Sequence, residues 1–133
     1  MKVVFADTFF FLAAVNARDA AHERAITFSS RHQGGIVTTD WVLLEVANTL
    51  AAGRNRAAFL ELLASLREDP RVQIVALDAL WQQRGLELYA QRMDKEWSLT
   101  DCISFLVMSQ EGLTDALTGA HHFEQAGFSA LLK

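Results

Sequence analysis

Three carboxylates occupy positions where a carboxylate needs a reason. Asp7 ends the apolar run VVFA at 3–6, Glu45 lies in TTDWVLLEVANTL, and Asp101 lies in SLTDCISFLVM, where apolar residues occupy nearly every side of a helix. A charge beside apolar surroundings requires a hydrogen-bond donor, an arginine or a cation. Gathered in space, the three would repel one another and their pKa values would rise unless a cation compensated. Hard oxygen donors suit Mg²⁺ or Mn²⁺. Each acid also has an ordinary local role open to it. Asp7 fits an N-cap for a helix beginning TFFFLAA, Glu45 fits a solvated position beside Trp41, Asn48 and Thr49 on the flank of an apolar stripe, and Ser98 with Asp101 has capping-box spacing.

Short apolar or β-branched runs at 3–6, 36–38, 72–77, 116–118 and 128–132 alternate with longer segments of helical character. The alternation predicts an α/β fold, a parallel sheet with helices on both faces. Helix starts are expected at Asp19, Asp40, Asn55, Asp78 and Ser98, with Gly53 and Gly112 following two of the helices. In such a sheet the functional crevice lies beyond the carboxyl ends of the strands, where Asp7 falls and where the first turns of the helix holding Glu45 would point.

The 133 residues suit one domain, 1–133, and no repeat, low-complexity tract or linker divides them. A net charge of -4 excludes coating of nucleic acid through bulk positive charge, so any such contact is local. The lone Cys102 forms no internal disulfide, and Asp7 interrupts the opening apolar stretch before it reaches the form of a signal peptide or membrane span. A soluble, cytoplasmic protein without membrane association is expected. The chain lacks zinc-ligand spacing, a phosphate-binding P-loop and a serine-nucleophile elbow. Phe9 stands where a haloacid-dehalogenase phosphatase carries its second aspartate, and Lys2, Lys95 and Lys133 do not follow strands as a receiver-domain lysine would.

Asp7 in FADTFFFLAA, Glu45 in TTDWVLLEVANTL, Asp101 in WSLTDCISF and the ending ALTGAHHFEQAGFSALL together resemble a PIN domain of the VapC toxin type, over nearly the whole chain. The resemblance implies a three-layer α/β/α sandwich with a mostly parallel sheet. It also implies an endoribonuclease that hydrolyses RNA through Mg²⁺ or Mn²⁺ held by acids, often a homodimer, and inhibited by a cognate VapB-type antitoxin. Asp7, Glu45 and Asp101 match three of the family's acids, and Ala120 replaces the fourth, which removes charge that would help hold a cation. Asp115 is a poor substitute, because it precedes its strand. His121 and His122 are closer candidates to stand in for the missing acid, although surface or packed positions at the start of a short helix fit them better than metal ligation; Thr8 and Thr118, beside strand ends, and His121 are candidates to support the ligands. Arg54 and Arg56 are candidates to guide phosphate or solvated charges. The competing reading is an inactive PIN-like protein that binds an antitoxin-like partner through aromatics of DTFFFL or around Trp81 and Trp97.

Overall fold

Residues 2–133 are described by a computed structural model. The first apolar run forms strand β1 (Val4–Ala6), followed by α1 (Thr8–Val15), α2 (His22–Arg31), β2 (Ile36–Thr39), α3 (Asp40–Thr49) and α4 (Arg54–Glu68). Then come β3 (Val72–Val75), α5 (Ala79–Gln91), α6 (Leu99–Gln110), β4 (Asp115–Leu117), α7 (His121–Gln125) and β5 (Ser129–Ala130). The strands pair in one sheet of order β3-β2-β1-β4-β5, parallel at every pairing. Phe5 pairs with Val37 on one side and Ala116 on the other, which puts β1 at the centre. All three of its residues are buried, as a strand covered on both faces should be.

From β1 the chain steps outward through β2 to β3, then crosses back to β4 and on to β5. With right-handed crossovers, helices α1 to α4 cover one face and α5 to α7 the other. The direction of winding therefore reverses between β1 and β4. At such a switch point the connections leave in opposite directions and open a crevice at the carboxyl ends of the strands.

The core lies between the sheet and its innermost helices. Cys102, Ile103, Phe105, Val107 and Met108 of α6 are all buried, which agrees with a segment apolar on nearly every side. Gly85 lets α5 approach α6 closely, because a Cβ there would lie 2.4 Å from Ile103 Cγ1. Phe10, Phe11 and Trp97 are buried and Trp81 is partly so, and these aromatics pack with the core rather than form an open docking surface. Among the described residues, no helix is long and apolar enough to cross a membrane.

Helix starts differ from the sequence expectation where two capping residues adjoin. Thr39, not Asp40, caps α3 by accepting from Val42 N, and the Asp40 carboxylate instead accepts from Leu77 N at 2.9 Å, tying the exit of β3 to α3. Helix α4 starts one residue before Asn55, with Gly53 at its N-cap at φ +57°. Asp19 accepts from Ala21 N in the turn before α2 instead of capping the helix. Asp78 and Ser98 cap as expected, Ser98 in a complete capping box with Asp101.

Candidate active site

Asp7 occupies the N-cap position of α1 immediately after β1, yet its side chain makes no cap hydrogen bond. Its carboxylate points elsewhere. Thr118, the residue following β4, donates from Oγ1 to Asp7 Oδ2 at 3.0 Å. That bond spans the switch point. The same hydroxyl accepts from Ala120 N at 3.1 Å, so one threonine fixes the carboxylate and the turn entering α7. On the other side of β1, the buried Thr38 Oγ1 of β2 donates to Ala6 O at 2.9 Å.

Asp7 is buried, with 6% of its surface exposed. Burial, and then repulsion from Asp101, push its carboxyl from 3.8 up to about 7; the Thr118 hydrogen bond opposes the rise, and Glu45 adds to it. Desolvation and like charge thus act together on one aspartate. Asp101 and Glu45 come from α6 and α3, on opposite sides of the sheet's midpoint in sequence, and both reach Asp7 electrostatically. Glu45 itself is half-buried on its helix, and Trp41, expected beside it on the exposed flank, is buried.

Asp101 sits in the first turn of α6. Its Oδ2 accepts from Ser98 N at 3.1 Å and pairs with His122 Nδ1 at 3.0 Å. The capping role and proximity to Asp7 coexist in one side chain. His122, rather than His121, is the histidine in contact with an acid; His121 is exposed and its ring lies 4.5 Å from that of His122. Adjacent residues of a helix point about 100° apart, so the buried Phe123 decides which of the two histidines turns inward. No local pattern marks which histidine turns inward, because the rotation of α7 is set by Phe123 packing against Phe5 and Phe105.

Ala120 is the N-cap of α7 and brings no side-chain cap. Thr8 is buried at the start of α1, and its hydroxyl has no hydrogen-bond partner among the described residues. Asp115 lies at the amino end of β4 in a 2.9 Å ion pair with Lys2, at the far end of the strand from Thr118. Arg54 and Arg56 lie exposed at the start of α4, where Arg56 Nε donates to Ala51 O. Among the described residues, no three His, Cys, Asp or Glu side chains already enclose a common point at metal-ligand distance.

A parallel sheet with an acidic crevice at its switch point defines the class as an α/β fold with a carboxylate-lined site. The PIN domain family model matches residues 4–128, and the chain belongs to that family. More narrowly, it is a VapC-type PIN ribonuclease homologue. It is 31% identical over 128 residues to the 23S rRNA-specific endonuclease VapC20 of Mycobacterium tuberculosis, with 95% of each chain covered. The crystal structure of that organism's VapC20, described as a sarcin-ricin loop cleaving toxin, is similar with a TM-score of 0.85 at 27% identity, covering 94% of this chain and 95% of that one. FitAcB from Neisseria gonorrhoeae shares the fold with a TM-score of 0.66 at 17% identity, over 96% of this chain and 95% of that one.

Proposed function

We propose that the chain is a divalent-metal-dependent endoribonuclease of toxin type, with Asp7, Glu45 and Asp101 as its metal ligands and catalytic residues. The observation that carries this reading is a buried aspartate crowded by two further carboxylates at the switch point. The donors fit a hard cation: all three are oxygen ligands, and Asp101 Oδ1 takes no hydrogen bond among the described residues. The unpaired Thr8 hydroxyl beside Asp7 adds a buried polar atom in need of a partner.

Bound Mg²⁺ or Mn²⁺ supplies Lewis acidity and lowers the pKa of a coordinated water. The chain's own part is to hold ligands and move a proton. Thr118 steadies Asp7 through Oδ2, and Ser98 steadies Asp101 in the same way. One of the three carboxylates would accept the proton of the attacking water. Ala120 leaves three carboxylates rather than four, which lowers the charge available for a second ion.

The substrate class is RNA, and the likeness to VapC20 makes 23S rRNA, with its sarcin-ricin loop, the first substrate to test. The reaction would then take place in the cytoplasm. A VapB-type antitoxin partner and a homodimeric state belong to the same reading, supported by the toxin family and not by any contact within this chain.

Thermal melting with and without millimolar Mn²⁺ tests the site. Wild type should gain stability with metal and Asp7→Asn should not; an unchanged wild-type melting temperature would remove the metal reading. Cleavage of 23S rRNA by wild type, or by Ala120→Asp, tests the activity separately, and failure of both to cut with metal bound would reject the nuclease.

A further inference from the structure

We infer that His122 is a positioning residue for Asp101, holding Oδ2 through its ring Nδ1–H so that Oδ1 is the oxygen left for a divalent ion. The inference rests on the metal-site reading above and deepens it. Asp101 Oδ2 receives two donors, Ser98 N at 3.1 Å and His122 Nδ1 at 3.0 Å. A carboxylate oxygen offers about two acceptor sites, so Oδ2 is filled. The proton is assigned to Nδ1 because its partner is a carboxylate that also accepts from a backbone N–H.

The ring is held from below by more than its own hydrogen bond. Helix α7 spans five residues, too short to be stable alone. It is secured by the buried Phe123, whose ring lies 4.9 Å from Phe105 of α6 and 6.3 Å from Phe5 of β1. Gln125 Oε1 accepts from Trp97 Nε1 at 3.0 Å, joining α7 to the loop that leads into Ser98. Phe105 and Trp97 meet edge to face at 4.9 Å. The donor at His122 and the acceptor at Asp101 are therefore fastened to one aromatic cluster, which fixes their separation.

Ala120 gives this arrangement its significance. The family pattern brings a carboxylate to the site at that position, but here the polar group of α7 that reaches the acids is the imidazole two residues later. The helix contributes a donor that orients a ligand, not a further negative ligand.

Calorimetric Mn²⁺ titration of full-length wild type, His122→Leu and His122→Asn tests this, with metal-free melting as the control for folding. Asparagine keeps an N–H donor near the place of Nδ1 and lacks Nε2. Leucine should weaken Mn²⁺ affinity by about tenfold or more, the usual effect of losing a group that orients a ligand, while asparagine should stay within about threefold of wild type. Equal affinity in wild type and His122→Leu would overturn the role for His122 and leave the metal site standing. A folded His122→Asn variant as weak as leucine would also overturn it, because a donor at that place would then not be what supports the site. No Mn²⁺ binding by wild type would overturn both readings. If leucine prevents folding, ring ¹H–¹⁵N spectra of the intact protein answer the same question: His122 should remain Nδ1-protonated on adding Mg²⁺, and an Nε2-protonated or metal-bound ring would reject the inference.

Discussion

Asp7 and Asp115 are the same residue type on neighbouring strands, at opposite ends of the sheet. Asp115 opens β4 and has a lysine ammonium 2.9 Å away; Asp7 closes β1 and faces a threonine and two further carboxylates. At the amino end the chain supplies the counter-charge itself. At the carboxyl end it supplies donors that orient the carboxylate but leave it crowded by like charge, and so the fold carries an electrostatic cost that a bound cation would relieve. The contrast locates the site more sharply than the total charge does, since a net charge of -4 says nothing of where negative charge is concentrated.

The largest effect should come from removing the crowded charge in metal-free protein. The Asp7 carboxyl rises from 3.8 to about 7 on folding, chiefly through burial. Below pH 3.8 it is protonated in both folded and unfolded chains, and its contribution is fully present. Between 3.8 and about 7 the folded state retains a proton that the unfolded state has released, so stability falls as pH rises through that window. Chelator-treated Asp7→Asn should lose that part of the decline and be more stable than wild type at pH 8 by on the order of 2–4 kcal/mol. Urea denaturation at pH 5 and pH 8 measures it. Saturating Mn²⁺ should then narrow or reverse the difference, because only wild type keeps the ligand. A variant that is no more stable than wild type at pH 8 would mean that Asp7 is not under strain.

An intermediate effect is expected at Thr118, which links the two strands at the switch point. Thr118→Val removes the donor to Asp7 Oδ2 and the acceptor for Ala120 N. Stranding the buried Asp7 oxygen and the part-buried Ala120 N–H should cost about 1–3 kcal/mol by denaturant melting, and Mn²⁺ affinity should fall by about tenfold. Thr118→Ser should preserve both. If valine changes stability but leaves metal affinity untouched, Thr118 organises the turn and not the ligand.

Much of this arrangement can be read in the sequence, and the rest is lost for identifiable reasons. The alternation of apolar runs with helical segments gives the α/β class because each strand is short and each of β1 to β4 is followed by a helical crossover to the next. The runs at 72–77 and 128–132 extend beyond β3 and β5, since hydrophobicity records burial of a segment and not where its ladder hydrogen bonds stop. Ser98 and Asp101 are legible because a capping box is local. The choice between Thr39 and Asp40 is not, because it depends on Leu77, 37 residues after Asp40, offering an N–H to the aspartate. Likewise the meeting of Asp7 with Thr118 depends on β1 lying beside β4, a pairing across 111 positions that no local pattern encodes. His122 is set by the packing of Phe123 against Phe5 and Phe105, again a long-range fact.

The smallest effect should be at the amino end. Lys2 is 68% exposed on its side chain, so its ion pair with Asp115 is screened by water and salt despite the 2.9 Å distance. Lys2→Ala should change stability by about 0–1 kcal/mol, and that difference should shrink further in high salt. Asp115 is only 14% exposed on its side chain, but it also accepts from the Thr114 hydroxyl at 3.2 Å, so losing the lysine does not leave it without a donor. Mn²⁺ affinity should be unchanged, because Asp115 and Asp7 are separated by the length of the strands. A clear loss of metal binding in Lys2→Ala would show that the two ends of the sheet are coupled, and the separation of a self-neutralised end from a cation-seeking end would no longer describe this molecule.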